Sequence, residues 1–470
     1  MCIRDRERVA KTYNADAHGN RSNPPVSPGE WNSPLRVPNS RSLLSRVDRY
    51  TLPNGLNVML LPYKTMPLIK ARLVVPAGSV HEAEKNAGIA SVALSFLNNP
   101  SADVFNRTGV RVNATAHEDM TVFSSSGLSS YLDTVLKGIE RLIISGSVNQ
   151  TRIDDYKKNY KRNFARESFN RNRAYQVEIA KALYGDEHPY TTKGSPTKQS
   201  VDSLGKDEAM DFIRKYIKPN GATLIVVGNF DAAYAKTTIA ENFKNHGSWS
   251  GGEVPKRADA QGPAQTEPNV FGVVGDENKA QIVTRIMYRA EAGINEKMGL
   301  RMILAEMLNA RMGQVRTKLA SGYTVGGGFS PAVGPSRYVY QGEIDREKIG
   351  ETVKFMREQV ETLRNGADSF NVEFAAARRV ILKKLLAEST ETASVASKLT
   401  RIALYGLDVN AFENLQQSVA QATPKQIKEL MVQDLAPEKE VVALQGPKSV
   451  LVKAFADAGI ANAKIIEPKI

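Results

Sequence analysis

The sequence predicts an α+β protein of two tandem homologous domains, each an antiparallel-rich sheet covered by helices. Two blocks of similar length repeat one order of strand-like and helix-like segments. A polar stretch, HGSWSGGEVPKRADAQGPAQTEPN (246–269), separates them. Landmarks also recur at a nearly constant offset: Ala182-Leu183-Tyr184-Gly185 against Ala403-Leu404-Tyr405-Gly406, and the closing glycines Gly228 against Gly446.

Taken in order, residues 1–45 contain RSNPPVSPGEWNSPLRVPNS, which has no hydrophobic period and reads as a disordered arm or inter-unit linker. The first domain is expected over 46–245, the linker over 246–269 and the second domain over 270–470. Each block opens on strands: LNVMLLP and IKARLVVPAG in the first, NVFGVVG and AQIVTRIMYRA in the second. An apolar helical segment follows, NAGIASVALSFLNN and then KMGLRMILAEMLNAR, and extended stretches succeed it, VRVNATAHEDMTVFSSS and YTVGGGFSPAVGPSRYVYQGEI. Amphipathic helices come next. Leu132, Val135, Leu136, Ile139, Leu142 and Ile143 share one helical face, as do Ile349, Val353, Met356, Val360 and Leu363. Both blocks close on a helix, a turn and an apolar strand. Pro219-Asn220-Gly221 punctuates the first closing turn, and Thr423-Pro424 supplies an N-cap and first-turn proline in the second.

Composition bounds the function. With 41% hydrophobic residues in 470, the chain has apolar material for two cores. A single cysteine, Cys2, excludes an internal disulfide framework and cysteine-rich metal sites. No run approaches the roughly 20 apolar residues of a membrane span, and no signal peptide is readable near the start. The opening MCIRDR resembles translated adapter sequence joined to a truncated gene, so the natural N-terminus is expected to lie elsewhere. The net charge of +13 is spread among acids, as in KKNYKRNFARE, and reads as a mixed solvated surface rather than a nucleic-acid face.

Four segments, in order, carry a resemblance to a known family: TLPNGLNVMLLPY, PAGSVHEAEKNAGIASVALSFL, GVRVNATAHEDMTVF and GDEHPYTTKGSPTKQSVDSL. The chain resembles the pitrilysin/insulinase family of zinc metallopeptidases from about Tyr50 to near the C-terminus. The resemblance implies their two-domain metallohydrolase fold, shared with LuxS and the mitochondrial processing peptidase. It also implies an inverted zinc motif, H-x-x-E-H, whose histidines bind Zn²⁺ and whose glutamate is the general base. The matching positions here read Ser91, Leu94 and Ser95, so neither those ligands nor the base is present. The third family ligand, a glutamate, has its counterpart at or near Asn163, with Glu167 close by. The histidines, His18, His81, His117, His188 and His246, are too dispersed to form a local ligand pair. Neither Ser91 nor Ser95 sits in a G-x-S-x-G turn, and both read as small helix residues.

Other features fit a substrate-holding role. Arg316 and Tyr323, seven apart, match an arginine–tyrosine pair by which family members hold substrate carbonyls; a surface arginine and a half-buried strand tyrosine is the plainer reading. Asn113 and Thr115 lie on the strand that resembles the family's substrate-side strand, where backbone pairing with peptide needs little side-chain identity. The plainer reading is that they complete the sheet and its turn. Gly326-Gly327-Gly328 is followed by no Lys-Ser/Thr and does not read as a phosphate loop.

The resemblance therefore implies a non-catalytic unit that binds no cofactor itself. It would complete the peptide chamber of a zinc-bearing unit, either a separate chain or a missing N-terminal half, with zinc in that partner. Residues 1–45 would serve as the hinge in the second case. Bacterial periplasm or envelope is the compartment the family implies. The alternative is a scaffold subunit of a larger complex, resembling the core proteins of respiratory complexes.

Overall fold

The computed structural model describes residues 33–37, 43–63, 66–98, 102–244, 249, 252, 268–322, 325–387 and 392–468. Most of the arm expected at 1–45 and of the linker expected at 246–269 lies outside them, as does Tyr323. In the first half, β1 (Asp48–Thr51), β2 (Asn57–Pro62), β3 (Leu68–Val75), β4 (Arg111–Ala116), β5 (Thr121–Leu128) and β6 (Thr223–Gly228) form one sheet in the order β1-β2-β6-β3-β5-β4. In the second half, β7 (Asn269–Val274), β8 (Gln281–Ala290), β9 (Gly326–Ser330), β10 (Ser336–Asp345), β11 (Glu440–Gly446) and β12 (Lys464–Ile466) form another, in the order β9-β10-β8-β11-β7-β12.

Five strands of each sheet share one connectivity. β2 lies parallel to β6 as β7 does to β11, while β3 and β8 run antiparallel to those closing strands. The sheets differ at one edge, which is the antiparallel β1 in the first and the parallel β12 in the second. Most pairs are antiparallel, as the sequence predicts.

The pattern of each strand follows its place. β6 (TLIVVG) and β11 (EVVALQG) are buried along their whole length because both faces of the sheet are covered there. β4 (RVNATA) alternates exposed and half-buried residues, as an edge strand should. Gly221 adopts φ +83° in the turn before β6, a conformation that L side chains rarely take.

One face of the first sheet packs on α1 (Ile89–Ser95), α2 (Leu132–Ile144), α5 and α6, with α3 (Gln150–Phe164) and α4 (Glu167–Tyr184) between; α5 is Lys206–Tyr216 and α6 Ala232–Phe243. Leu132, Val135, Leu136, Ile139 and Leu142 are buried along α2, while Ile143 is half-buried. In the second domain α7 (Met298–Met312), α8 (Gln314–Leu319), α9 (Ile349–Arg364) and α10 (Phe370–Ala387) do the equivalent covering, and all five apolar residues expected on α9 are buried. Each fully buried Leu, Ile or Phe contributes about 1.5–3 kcal/mol, so these faces decide which side of each helix turns inward.

The opposite faces are covered reciprocally. α4 of the first domain lies on the second sheet, with Tyr175, Ile179, Leu183 and Tyr184 against Phe271, Val273, Met287 and Val441. α11 (Thr392–Tyr405) of the second domain lies on the first sheet, with Val395, Leu399 and Ile402 against Met59, Leu61, Val74 and Ile225. The two repeated Ala-Leu-Tyr-Gly segments are the ends of these exchanged helices. Ser33–Val37 also docks on the second domain, where Leu35 N–H donates to Ala420 O (3.0 Å) and Arg378 donates to Ser33 O (3.0 Å). No described helix is long and apolar enough to cross a membrane.

Candidate functional site

The helix expected to resemble a zinc helix is α1, and a carboxylate holds its start. Glu82, 2% exposed, accepts N–H bonds from Gly88 (2.8 Å), Ala90 (2.8 Å) and Gly194 (2.9 Å). Burial pushes its pKa up, and those three bonds together with Lys193 act against that rise. Gly88 caps the helix at φ +92°, with Pro196 packed so close that a Cβ would meet it at 2.6 Å. Beyond this cap, Ser91 and Ser95 are exposed one turn apart, and Leu94 is 4% exposed within the core.

A hydroxyl pair and a core leucine do not fit a zinc ion and its base. Asn163 is half-buried near the end of α3, and Glu167 opens α4, exposed and ion-paired with Arg171. Among the described residues no three His, Cys, Asp or Glu side chains come together in a metal-holding group. His81 packs against Tyr216 (ring centroids 5.4 Å), and His188 is buried between Tyr184 and Tyr190, its Nδ1 accepting from Tyr190 N–H at 3.0 Å.

Ser91 faces a cavity of about 800 Å³ between the two domains. The β4–β5 hairpin tip (His117–Met120) and the corresponding β9–β10 connection (Ser330–Ala332) enter it from opposite domains, and Leu183, Tyr184, Leu404 and Tyr405 from the two repeats line it. A polar latch joins the hairpins: Tyr190 O–H donates to Asp119 Oδ2 (2.5 Å), Gly334 N–H donates to Tyr190 Oη (2.8 Å), and Val333 N–H donates to Asp119 Oδ2 (3.4 Å). Burial, reinforced by the nearby Asp119 carboxylate, pushes Tyr405 up to about 12.

Of the predicted substrate residues, Arg316, Asn113 and Thr115 lie outside the cavity lining. Arg316 is exposed on the short helix α8, and its predicted partner Tyr323 falls outside the described residues. Asn113 and Thr115 are exposed on β4, which pairs only with β5 in its sheet, and Asn113 Oδ1 accepts from Ser124 Oγ. Neither Arg316, Asn113 nor Thr115 is among the residues that line the inter-domain cavity; Ser91 is. The cavity itself escaped sequence reading. Its one signal was the recurrence of Ala-Leu-Tyr-Gly, which marked the repeat without showing that both copies meet around one space.

Residues 203–379 match the family model described as the peptidase M16 inactive domain. No curated protein sequence matches the chain. Among solved structures, the fold is similar to a peptidase M16 inactive domain from Pseudomonas fluorescens, with 19% identity and a TM-score of 0.74, covering 86% of this chain and 98% of that one. It is similar to the periplasmic protease PqqL from Escherichia coli, with 14% identity and a TM-score of 0.70, covering 91% of this chain but 50% of that one. A chain of complex III2 from Candida albicans, with Inz-5 bound, gives 15% identity and a TM-score of 0.70, covering 88% of this chain and 99% of that one.

The molecule thus has the two-domain α+β architecture of M16 peptidases. The match over residues 203–379 and the shared fold mark what the chain is similar to: the peptidase M16 inactive domain.

Proposed function

We propose that the chain is the non-catalytic, substrate-holding unit of a pitrilysin/insulinase-type zinc peptidase. It would complete the peptide chamber of a zinc-bearing partner, whether a separate chain or an N-terminal half of the same protein. The observation that carries this reading is α1: an intact, carboxylate-capped helix beside an open cavity, with serine, leucine and serine where metal donors and a base would stand. A peptidase of two such units is consistent with the PqqL likeness, since this chain spans about half of that periplasmic protease. A bacterial envelope location and a zinc ion held by the partner belong to the same proposal. In it, Arg316 and Tyr323 hold substrate carbonyls, and the open edge of β4, with Asn113 and Thr115, receives extended peptide.

The test is peptide cleavage by the chain alone, by a zinc-bearing M16 unit alone and by the mixture. Cleavage that appears only in the mixture and falls about 10²–10³-fold with Arg316→Ala or Tyr323→Phe is the expected result, in line with loss of one donor to developing charge. Stoichiometric zinc with hydrolysis by the chain alone overturns it. The scaffold reading, favoured by the complex III2 likeness, instead gives stable assembly and no response to those substitutions.

A further inference from the structure

The chain ahead of β1 is seated on both domains. Along Ser33–Val37 only Leu35 and Val37 are half-buried, two residues apart as extended backbone requires, and both pack against the core of the second domain. Leu44, 4% exposed, belongs with Leu43 and Val47 to the cluster between the first sheet and α11. Val47 then leads directly into β1, the edge strand of the first sheet.

Both pieces grip α12 (Ala411–Gln421), which follows α11 after residues 406–410. The last carbonyls of a helix have no partner within it. At the end of α12 the donors come from outside: Leu35 N–H reaches Ala420 O at 3.0 Å, and Arg378, 1% exposed, reaches Ala422 O at 2.9 Å. The same guanidinium donates to Ser33 O (3.0 Å) and lies over the Phe374 ring at 5.0 Å. At the other end of α12, Phe412 is buried in the cluster that holds Leu44. Leu415 packs on both clusters, so α12 joins the second-domain core to the exchanged helix.

In turn, α11 forms part of the cavity wall. It lies on the first sheet, held by Val395, Leu399 and Ile402 and by bonds from Arg72 to Ser397 Oγ and Thr400 Oγ1 (3.2 Å each). Its last turn carries Leu404 and Tyr405 to the cavity, which Asp119 of the latch also lines. Lys398 of α11, 5% exposed, places its ammonium over the Phe412 ring of α12 at 5.6 Å. Lys398 and Gln416 both donate to Leu385 O, at 3.5 and 3.3 Å. A shift of α12 is therefore passed to α11 through packed and hydrogen-bonded contacts.

We propose that Ser33–Val37 and Leu43–Val47 are two ends of a strap that seats α12 and, through it, α11. Releasing Ser33–Val37 loosens the cavity wall at Leu404 and Tyr405, together with the latch beside it. Ser33–Val37 is the end that lets go, because main-chain bonds and half-buried side chains hold it, whereas Leu44 sits in the core. Elements with few buried apolar contacts open first. The device lies within this chain and goes beyond the accessory role, which stands or falls separately.

Hydrogen exchange on the full chain tests this in three proteins: the parent, Leu35→Asp/Val37→Asp and the conservative Leu35→Met/Val37→Ile. The aspartates put charge at half-buried strap positions and leave every second-domain side chain as it is. In that variant the position-35 amide, which bonds to Ala420 O, should exchange faster. Exchange at Leu404, Tyr405, Val333 and Gly334 should rise with it by roughly 2- to 30-fold, while β11 keeps the parental rate. The conservative pair should keep the parental pattern throughout. If position 35 loses protection and the cavity and latch amides do not, the strap is a passive appendage and the inference is overturned. Acceleration that spreads equally to β11 is general destabilisation and overturns it too. So does an aspartate variant whose position-35 amide stays protected, since the strap is then not the end that releases.

Discussion

Rebuilding the missing motif is the sharpest trial of the account of α1. The side chains at 91, 94 and 95 are not equally free to change. Ser91 and Ser95 are exposed, so Ser91→His and Ser95→His alter solvated positions and should move stability by no more than about 0.5 kcal/mol each. Leu94 is 4% exposed and belongs to the first-domain core. Leu94→Glu forfeits burial of the leucine side chain, about 1.5–3 kcal/mol, and forces a carboxyl group toward the same apolar surroundings. An unpaired polar group there adds roughly 1–3 kcal/mol on mutational scales. The sum is about 2.5–6 kcal/mol. For a domain of this size each kcal/mol shifts Tm by roughly 2–4 °C, so thermal melting by circular dichroism should fall by about 5–25 °C. The two-histidine variant should melt within about 4 °C of the parent by the same conversion. Isothermal titration with Zn²⁺ should show at most weak binding to the two-histidine variant, because two imidazoles alone fill only half of a tetrahedral site. A triple variant that keeps the parental Tm, binds zinc stoichiometrically and hydrolyses peptide would falsify the claim that the core has closed behind position 94.

Further outcomes follow from the buried polar groups. Arg301 and Asp434, each 1% exposed, form a 2.8 Å ion pair to which Tyr338 also donates at 3.0 Å; Arg301→Met strands the carboxylate and should cost about 3–5 kcal/mol in urea unfolding. Tyr190→Phe removes the latch bond to Asp119, costing about 1.5–3 kcal/mol locally; hydrogen exchange at Val333 and Gly334 should accelerate while α9 stays protected. Tyr50 and Tyr405 are both pushed up to about 12, chiefly by burial, above their ordinary value of 10.0. Since folding favours the protonated phenols, their contribution is complete below pH 10 and is lost as pH rises through 12. Tyrosinate absorbance should lag that of an unfolded control, and denaturation midpoints should fall across this window.

Much of the fold was legible because its signals are periodic. The apolar faces of α2 and α9 follow from 3.6-residue spacing, and Thr423 caps its helix through a reciprocal bond with Gln426 as the local pattern implies. What could not be read is which sheet each helix covers. α4 and α11 carry apolar residues at helical spacing whichever domain they serve, and nothing local distinguishes Leu399 packing on its own sheet from packing on the other. The cavity follows from that exchange, so it was hidden with it.

The anchoring of α1 does not depend on the side chains at positions 91 and 95. The two oxygens of Glu82 tie the loop before α1, the helix start and Gly194 into one network. Ile89, Ala90, Val92, Ala93 and Leu94 then seat the helix against the sheet. None of these contacts passes through Ser91 or Ser95. Glu82→Ala should therefore do what changes at those serines do not: strand three N–H groups, each costing about 1–3 kcal/mol when buried and unpaired, and loosen α1 from the loop at Gly194. Hydrogen exchange at Gly88, Ala90 and Gly194 reads this directly. If those amides stay protected in the alanine variant while Ser91→His or Ser95→His exposes them, the helix is held from its solvent face, and the separation of scaffold from metal site argued here is wrong.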